Sequence, residues 1–197
     1  MINWIKDNYI EVIGAFLALV YLILEVRQKW TMWIVGIISS IFYTFIFFEA
    51  KLYAETGMNA YFAAMSVYGL YCWKYAKNSS SSLKITHIGI KTTGWLSGIG
   101  ILLFALIASI LSNYTDSSVP YADTLVTVLS IIATWMVAHK FVEHWYLWIF
   151  TNCFATGLYI YLELYPTAIL YTIYTIMSLI GLIEWKKTMK NEEIKNG

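Results

Sequence analysis

A tryptophan and an asparagine lie four residues apart, at Trp148 and Asn152, in the apolar segment HWYLWIFTN. Residues at positions i and i+4 face the same side of an α-helix. An indole face attracts cations by about 0.5–2 kcal/mol, and an amide offers both a hydrogen-bond donor and an acceptor. The pair therefore predicts a binding site for a flat aromatic solute, cationic or neutral. The alternative is that Asn152 only hydrogen-bonds a neighbouring helix.

Two further i,i+4 pairs place polar side chains near apolar segments: Glu55 with Asn59, and Asp123 with Thr127. Polar groups at membrane depth are costly unless they are partnered, and they often mark sites. A carboxylate at the mouth of a site would attract a cation, but Glu55 and Asp123 could equally be interfacial groups that face water. With Trp33, from the related segment KWTMWIVG, the candidate binding residues are Trp33, Glu55, Asn59, Asp123, Thr127, Trp148 and Asn152.

The cysteines and histidines of the sequence are not spaced as in a catalytic site or a metal site. Cys72 and Cys153 lie in apolar runs and are expected to be buried free thiols. His87, His139 and His144 fall in or beside predicted loops, where solvated roles are expected. The chain has no phosphate-binding glycine loop, Walker motif or nucleophile elbow. We therefore predict no enzyme activity, no metal and no cofactor.

The composition indicates that the protein folds within a lipid bilayer. The chain of 197 residues is 59% hydrophobic and only 13% charged, whereas soluble domains carry about 25% charged residues. The net charge of +1 gives no basic surface for nucleic acid. A carrier is the leading hypothesis, and a membrane sensor or a subunit that needs a partner stays open because the sequence has no catalytic or ATP-binding motif. A membrane enzyme is disfavoured because no acid–base or metal cluster lies at a common depth.

Seven stretches approach the roughly 20 apolar residues that a membrane-spanning helix needs. Only a few residues connect most of them, and the exception is the serine-rich loop KYAKNSSSSLKITHIGIK. The predicted architecture is therefore an all-α integral membrane protein with seven transmembrane helices. The spans are Tyr9–Val26, Trp30–Phe48, Leu52–Trp73, Gly94–Ser112, Tyr121–Ala138, Trp145–Leu162 and Pro166–Trp185.

The distribution of basic residues predicts the orientation in the membrane. If the C-terminus is cytoplasmic, only Lys6 and Lys51 of the 13 basic residues lie on the outer side. Cytoplasmic loops carry an excess of Lys and Arg. The N-terminus is therefore predicted outside and the C-terminus inside, which requires an odd number of spans.

An internal repeat relates the two halves of the chain. The segment LYAETGMNAYFAAMSVYGLYCW, from Leu52, matches LYPTAILYTIYTIMSLIGLIEW, from Leu164, at seven of 22 positions without a gap. The two Trp-x-x-Trp pairs align at an offset of 115 residues rather than 112, which predicts a three-residue difference in the outer turn and sets Asn152 opposite Ile37.

The repeat predicts two three-helix units joined by one linker helix. Because an even number of helices separates equivalent spans, both units enter the membrane in the same sense, as in SWEET-type transporters with parallel repeats. Such proteins place their substrate near the membrane midplane, between the repeats. The predicted segments are a first repeat (1–73), a cytoplasmic loop (74–93), a linker helix (94–112), a second repeat (113–185) and a cytoplasmic tail (186–197).

Tryptophans near the predicted span ends are expected to be interfacial anchors. Those in this position are Trp30, Trp73, Trp145 and Trp185. Trp33 and Trp148 lie one turn deeper, where a binding role is favoured.

Three segments resemble the PnuC family of bacterial vitamin transporters. LYAETGMNAYFAAMSVYGLYCW is similar to that family's third span, with Leu-Tyr-Ala, an amide residue and Tyr-Gly-Trp-Tyr-x-Trp. FVEHWYLWIFTN resembles Val-Glu-Asn-Trp-x-x-Trp-x-x-x-Asn on its sixth span, and YADTLVTVLSIIATWMVAHKFVEHW resembles its fifth. By position, Trp148 and Asn152 match the binding motif and Asn59 matches the amide, although Leu70 and His144 stand where the family commonly has Trp and Asn.

The resemblance implies a homotrimeric carrier of nicotinamide riboside in the bacterial inner membrane, with a SWEET-like fold. It implies facilitated diffusion, with the vitamin trapped by cytoplasmic phosphorylation on the way to NAD. Relatives carry thiamine, riboflavin or deoxynucleosides. Thiamine is also a cationic aromatic molecule, so a thiamine transporter remains the alternative.

Overall fold

The computed structural model describes residues 9–49, 51, 53–75, 83–115 and 118–196. Within these ranges the chain forms seven α-helices of 18 to 32 residues. Helices dominate because a backbone in lipid must satisfy its hydrogen bonds within the segment. The chain divides into two compact units, residues 1–83 and residues 84–197.

Unit 1 is an array of three consecutive helices joined by short turns. Helix α1 packs against α2, and α2 packs against α3. At the end of α1, Gln28 has a φ of 53°, and the Lys29 N–H donates to the Leu24 carbonyl at 2.9 Å. This is the Schellman closure of a helix, which satisfies terminal carbonyls and reverses the chain. The helices are α1 (Tyr9–Val26), α2 (Thr31–Glu49) and α3 (Tyr53–Tyr75).

Unit 2 contains four helices, each packed against the next along the chain. Pro120 occupies the first turn of α5, where its missing N–H has no helical partner to lose. The segment before α4 lies against the α5–α6 turn, with Thr86 and Phe141 paired as an isolated parallel bridge. The helices are α4 (Ile90–Tyr114), α5 (Pro120–Ala138), α6 (His144–Tyr161) and α7 (Tyr165–Asn196).

Every predicted span coincides with a helix, and the ends differ by more than two residues for only two of them. Helix α4 begins four residues earlier than predicted, at Ile90, and α7 continues through the polar tail to Asn196. By length and hydropathy, four of the described helical segments could cross a membrane on their own: Thr31–Glu49, Ile90–Tyr114, Pro120–Ala138 and Tyr165–Glu192.

The turns recur at a spacing of 112 residues. Gln28 and Lys140 have φ values of 53° and 55°, and Lys51 and Glu163 both have 60°. The hydrogen bonds recur with them, because Lys51 N–H donates to the residue three positions earlier at 3.0 Å and Glu163 N–H does the same at 3.1 Å. The first repeated helix hairpin therefore has the same length in both units.

The core of unit 1 is an indole ring set into a glycine notch. Trp33 of α2 is wholly buried and makes edge-to-face contact with Trp73 of α3, with ring centroids 5.7 Å apart. A Cβ added at Gly69 would overlap the Trp33 ring, so glycine is what allows the ring to lie against the α3 backbone.

The core of unit 2 is built in the same way. Trp145 of α6 is wholly buried and makes edge-to-face contact with Trp185 of α7, with centroids 5.8 Å apart. A Cβ at Gly181 would overlap its ring. Trp33, Gly69 and Trp73 each recur 112 residues later in this arrangement.

These contacts correct the expected alignment of the tryptophan pairs. The offset of 115 residues is wrong, because Trp33 shares its surroundings with Trp145 and not with Trp148. No three-residue difference in the outer turn is needed, and Asn152 therefore corresponds to Ser40 rather than to Ile37.

The expected anchor role is also wrong for three of the four tryptophans near span ends. Trp73, Trp145 and Trp185 are buried within their units, while Trp30 is 39% exposed with the Lys74 ammonium 4.9 Å from its ring centroid. Gly181 of the facing helix makes room for Trp145, whereas Trp73 and Trp185 are covered by edge-to-face contact with Trp33 and Trp145.

Two expectations about the remaining reactive side chains are likewise corrected. His144 is fully buried rather than solvated, because its ring lies between Trp145 and Trp185 with centroids 4.5 and 4.7 Å away. Cys153 is exposed rather than buried, since it lies on the outward face of α6 beside Phe154.

Substituting alanine for Gly181 is expected to destabilise the protein by about 1–3 kcal/mol, the usual cost of overpacking a core. The added methyl group has no space beside Trp145. Thermal unfolding in detergent measures the effect. Gly157→Ala is the matched control, because a Cβ there meets no atom within 4 Å; equal melting temperatures for the two variants would contradict the packing argument.

Candidate functional site

Helix α6 positions the two strongest candidate residues, Trp148 and Asn152, one turn apart. Its start is fixed by Trp145, which is buried against α7. Asn152 lies two turns further along the same side and is only 7% exposed, whereas Trp148 is half-buried. Trp148 and Asn152 therefore lie on the same side of α6, as expected. The packing of Trp145 against α7 fixes the orientation of α6 about its own axis.

The Asn152 side chain is anchored through its donor only. Its Nδ2 donates to Ser178 Oγ of α7 at 3.2 Å, and Ser178 Oγ donates to the Tyr174 carbonyl at 2.8 Å. No described residue donates to Asn152 Oδ1. The amide thus makes an interhelical contact and also retains an acceptor for a ligand, so the two interpretations of this residue are compatible.

The Trp148 ring combines partial exposure with an unpaired donor. Its Nε1 is buried and has no hydrogen-bond acceptor among the described residues. An unpaired buried donor costs about 1–3 kcal/mol, so such groups call for an explanation. The indole nitrogens of Trp33 and Trp145 are also unpaired, but those rings are fully enclosed. Trp148 is the one of the three whose ring retains an accessible portion.

The candidates in unit 1 have different surroundings from one another. Trp33 is enclosed by Tyr21, Gly69 and Trp73, so its ring has a packing role. Asn59 is half-buried on α3. Glu55 belongs to the first turns of the same helix, but its side chain lies outside the described part of the structure.

The remaining pair lies on α5, which packs against α6. Asp123 is in the first turn of α5, and both it and Thr127 are half-buried. A carboxylate in the first helical turn is favoured by the helix dipole. The structure thus brings Asp123, Thr127, Trp148 and Asn152 into one unit, on two adjacent helices.

Sequence reasoning missed Ser178 as the partner of Asn152. A signal was present, because Ser66 and Ser178 recur among the seven repeat identities, and both are buried. The equivalence also extends to backbone contacts, since Thr44 Oγ1 donates to the Ser40 carbonyl at 2.7 Å and Thr156 Oγ1 donates to the Asn152 carbonyl at 2.8 Å. Position 152 therefore differs from its counterpart mainly by carrying a larger amide in place of a hydroxyl.

The side chains of this arrangement are suited to the recognition of a ligand. The described residues contain no group of three His, Cys, Asp or Glu side chains that could hold a metal ion. What α6 offers is the accessible part of the Trp148 ring and the Asn152 amide oxygen, which together suit a flat ring with polar substituents.

Comparison with known proteins identifies similar chains over almost the full length. The sequence profile described as "Nicotinamide mononucleotide transporter" matches residues 8–187. The nicotinamide riboside transporter PnuC of Escherichia coli (strain K12) is 25% identical, over 90% of this chain and 85% of that protein. The riboflavin/roseoflavin transporter RibM of Streptomyces davaonensis is 23% identical, over 93% of this chain and 92% of that protein.

A solved structure has the same fold. The crystal structure of the vitamin B3 transporter PnuC superposes with a TM-score of 0.73 at 20% sequence identity, covering 94% of this chain and 84% of that chain. The all-helical architecture inferred from the sequence is therefore shared with a solved transport protein.

Proposed function

The chain belongs to the nicotinamide mononucleotide transporter family, and on that basis we propose that it transports nicotinamide riboside across the membrane. The resemblance to PnuC proteins seen in the sequence is confirmed. The chain is a multi-pass membrane protein, with described helices long and apolar enough to span a bilayer. Several curated relatives bear the name nicotinamide riboside transporter, which supports this substrate.

The observation that carries the proposal is the face of α6 formed by Trp148 and Asn152. Nicotinamide riboside contains a flat pyridinium cation with a carboxamide. The indole face of Trp148 would stack on the ring and attract its charge. The Oδ1 of Asn152, to which no described residue donates, is an acceptor that matches the amino group of a carboxamide.

The charge of the candidate residues favours the riboside over the mononucleotide. A phosphate monoester carries about −1.5 to −2 charges near neutral pH and would need basic partners. Trp148, Asn152 and Thr127 are uncharged, and Asp123 is acidic. These side chains suit a cation and would oppose a phosphate.

The transport mechanism proposed is facilitated diffusion. The sequence carries no motif for nucleotide hydrolysis, so the concentration gradient of the riboside would drive entry. Phosphorylation in the cytoplasm would add negative charge and prevent return through a site whose candidate residues include no basic side chain.

The architecture proposed has seven spans, an outer N-terminus and an inner C-terminus, with two parallel three-helix repeats around a linker helix. The recurrence at 112 residues of turns, glycine notches and buried tryptophans supports the repeat. We place the protein in the bacterial inner membrane as a homotrimer. A fluorescent protein fused to the C-terminus should fluoresce if that end is cytoplasmic, and light scattering in detergent would report the oligomer.

A flavin carrier is the alternative favoured by the similarity to RibM, and thiamine is the alternative favoured by the cation-attracting site. Both ligands are flat and aromatic, so Trp148 alone does not discriminate among the three.

Calorimetry with purified protein tests the substrate directly. We expect nicotinamide riboside to bind, with thiamine, riboflavin and nicotinamide mononucleotide binding at least about tenfold more weakly, a difference of 1.4 kcal/mol. Tighter binding of thiamine or riboflavin would replace the substrate assignment. Proteoliposomes then test transport: binding without uptake of the riboside would favour a sensor or a subunit that needs a partner.

A further inference from the structure

Glu143 holds the segment before α4 against the start of α6. One carboxylate oxygen, Oε1, pairs with His87 Nδ1 at 2.6 Å, and the other, Oε2, accepts from the backbone N–H of Ile88 at 3.0 Å. Glu143 also immediately precedes α6, of which it is the N-cap residue. It belongs to the segment FVEHWYLWIFTN, whose binding role accounts only for Trp148 and Asn152.

Backbone hydrogen bonds reinforce the same junction. Thr86 N–H donates to the Lys140 carbonyl at 3.2 Å, and Val142 N–H donates to the Thr86 carbonyl at 3.1 Å. These bonds form the isolated parallel bridge between Thr86 and Phe141. Two backbone and two side-chain contacts therefore join residues 86–88 to the α5–α6 turn, and we call this set the α4–α6 junction.

The junction connects the beginnings of two helices. Gly89 is the N-cap residue of α4 and directly follows Ile88, and Glu143 is the N-cap residue of α6. Carboxylates are favoured at helix N-termini, where unpaired N–H groups give partial positive charge. Glu143 therefore lies next to both N-termini, since it precedes α6 in the chain and accepts a hydrogen bond from Ile88, just before α4.

We propose that Glu143 is a positioning residue for transport, which locks the linker helix α4 to the binding helix α6 so that the two helices move as one body. This inference rests on the proposed function. In a carrier built from repeats, one bundle rocks against the other during transport. A helix that joins the repeats can transmit that motion only if its ends are fixed.

The expected defect is in rate rather than affinity. Glu143 precedes Trp148 by five residues and Asn152 by nine, about 7.5 and 13 Å along the helix at 1.5 Å per residue. Its two carboxylate oxygens are engaged by His87 and by the Ile88 N–H, so we do not expect it to contact the ligand. Trp148 and Asn152 are held in position by the packing of Trp145 against α7 and by the hydrogen bond from Asn152 to Ser178. Loss of the junction would therefore leave the site intact and uncouple α4 from it.

The test compares Glu143→Ala with Glu184→Ala, an exposed carboxylate on α7, in proteoliposomes and by calorimetry with nicotinamide riboside. We expect the maximal uptake rate of Glu143→Ala to fall by about tenfold, while its Kd changes less than about twofold, a separation of rate from binding. His87→Phe, which removes only one contact, should show a smaller loss of rate. Wild-type uptake by Glu143→Ala, or a Kd shift as large as the rate loss, would overturn the proposal.

A reversible cross-link gives the second arm and does not depend on how stable the Glu143 variant is. Residues paired in a β-bridge, such as Thr86 and Phe141, belong to segments about 4.8 Å apart. A disulfide accepts Cα–Cα distances of about 4.4–6.8 Å. Thr86→Cys with Phe141→Cys, in a chain with Cys72→Ser and Cys153→Ser, can therefore be closed across the junction.

With Glu143 present, the oxidised cross-linked protein should transport as fast as its reduced form, because a fixed junction is the working state. In the Glu143→Ala background, oxidation should restore the lost rate. Transport blocked by the cross-link, or a defect that oxidation fails to rescue, would overturn the proposal. Absence of both binding and uptake in the wild-type protein would instead reject the proposed function.

Discussion

Replacing Trp148 with alanine is expected to weaken nicotinamide riboside binding by about 30-fold to 150-fold. Stacking of a base on an aromatic side chain contributes about 1–3 kcal/mol, and a cation over an indole adds about 0.5–2 kcal/mol. A combined loss of about 2–3 kcal/mol corresponds to this range of Kd at 1.4 kcal/mol per factor of ten. Calorimetry on the purified variant measures the change.

Two companion variants separate the contributions of the ring. Trp148→Phe keeps an aromatic face but removes the unpaired Nε1, so it should lose less affinity than Trp148→Ala. Trp95→Ala removes an exposed indole from α4 and should bind normally. If Trp148→Ala also binds normally, this ring has only a packing role.

Replacing Asn152 with alanine is expected to weaken binding by about tenfold to a hundredfold. A ligand group that has lost its hydrogen-bond partner in a buried site costs about 1–3 kcal/mol, which corresponds to this range of affinity. Thermal stability should fall only modestly, because a single interhelical bond contributes about 0.6 kcal/mol on average in a membrane protein.

Ser178→Ala distinguishes the two roles of Asn152. This change removes the acceptor of the Asn152 Nδ2 bond but leaves the Asn152 oxygen in place. If Asn152 binds the ligand through that oxygen, Ser178→Ala should lower stability about as much as Asn152→Ala while costing less than about tenfold in affinity. Equal losses of affinity in both variants would contradict a direct contact between Asn152 and the ligand.

Much of the candidate site could be predicted from residue type and spacing. Trp148 and Asn152 were identifiable because a helix places i and i+4 on one face, and because an amide is conspicuous among apolar residues. Their membership in a site stays a prediction until binding is measured. The sequence could not reveal which end of the Asn152 amide would be free, because that depends on Ser178 of another helix.

Other positions were misjudged because depth along a helix does not determine which face is enclosed. Trp145 looked like an interfacial anchor from its place near a span end, yet it is wholly buried. Glu143 and His87 lie 56 residues apart, and their pairing follows from the path of the loop before α4. No local pattern in the sequence encodes that path.

The sequence by itself determined the class of structure. Long apolar stretches must form helices in a bilayer, because no water is available to their backbone groups, and each predicted span coincides with a helix. Tertiary structure decided the register of the repeat and the environment of each tryptophan. The physical reason is steric: the rings of Trp33 and Trp145 lie directly against the backbone of a neighbouring helix because that helix presents a glycine there, at Gly69 and Gly181. Which ring meets which glycine is settled only when the helices pack.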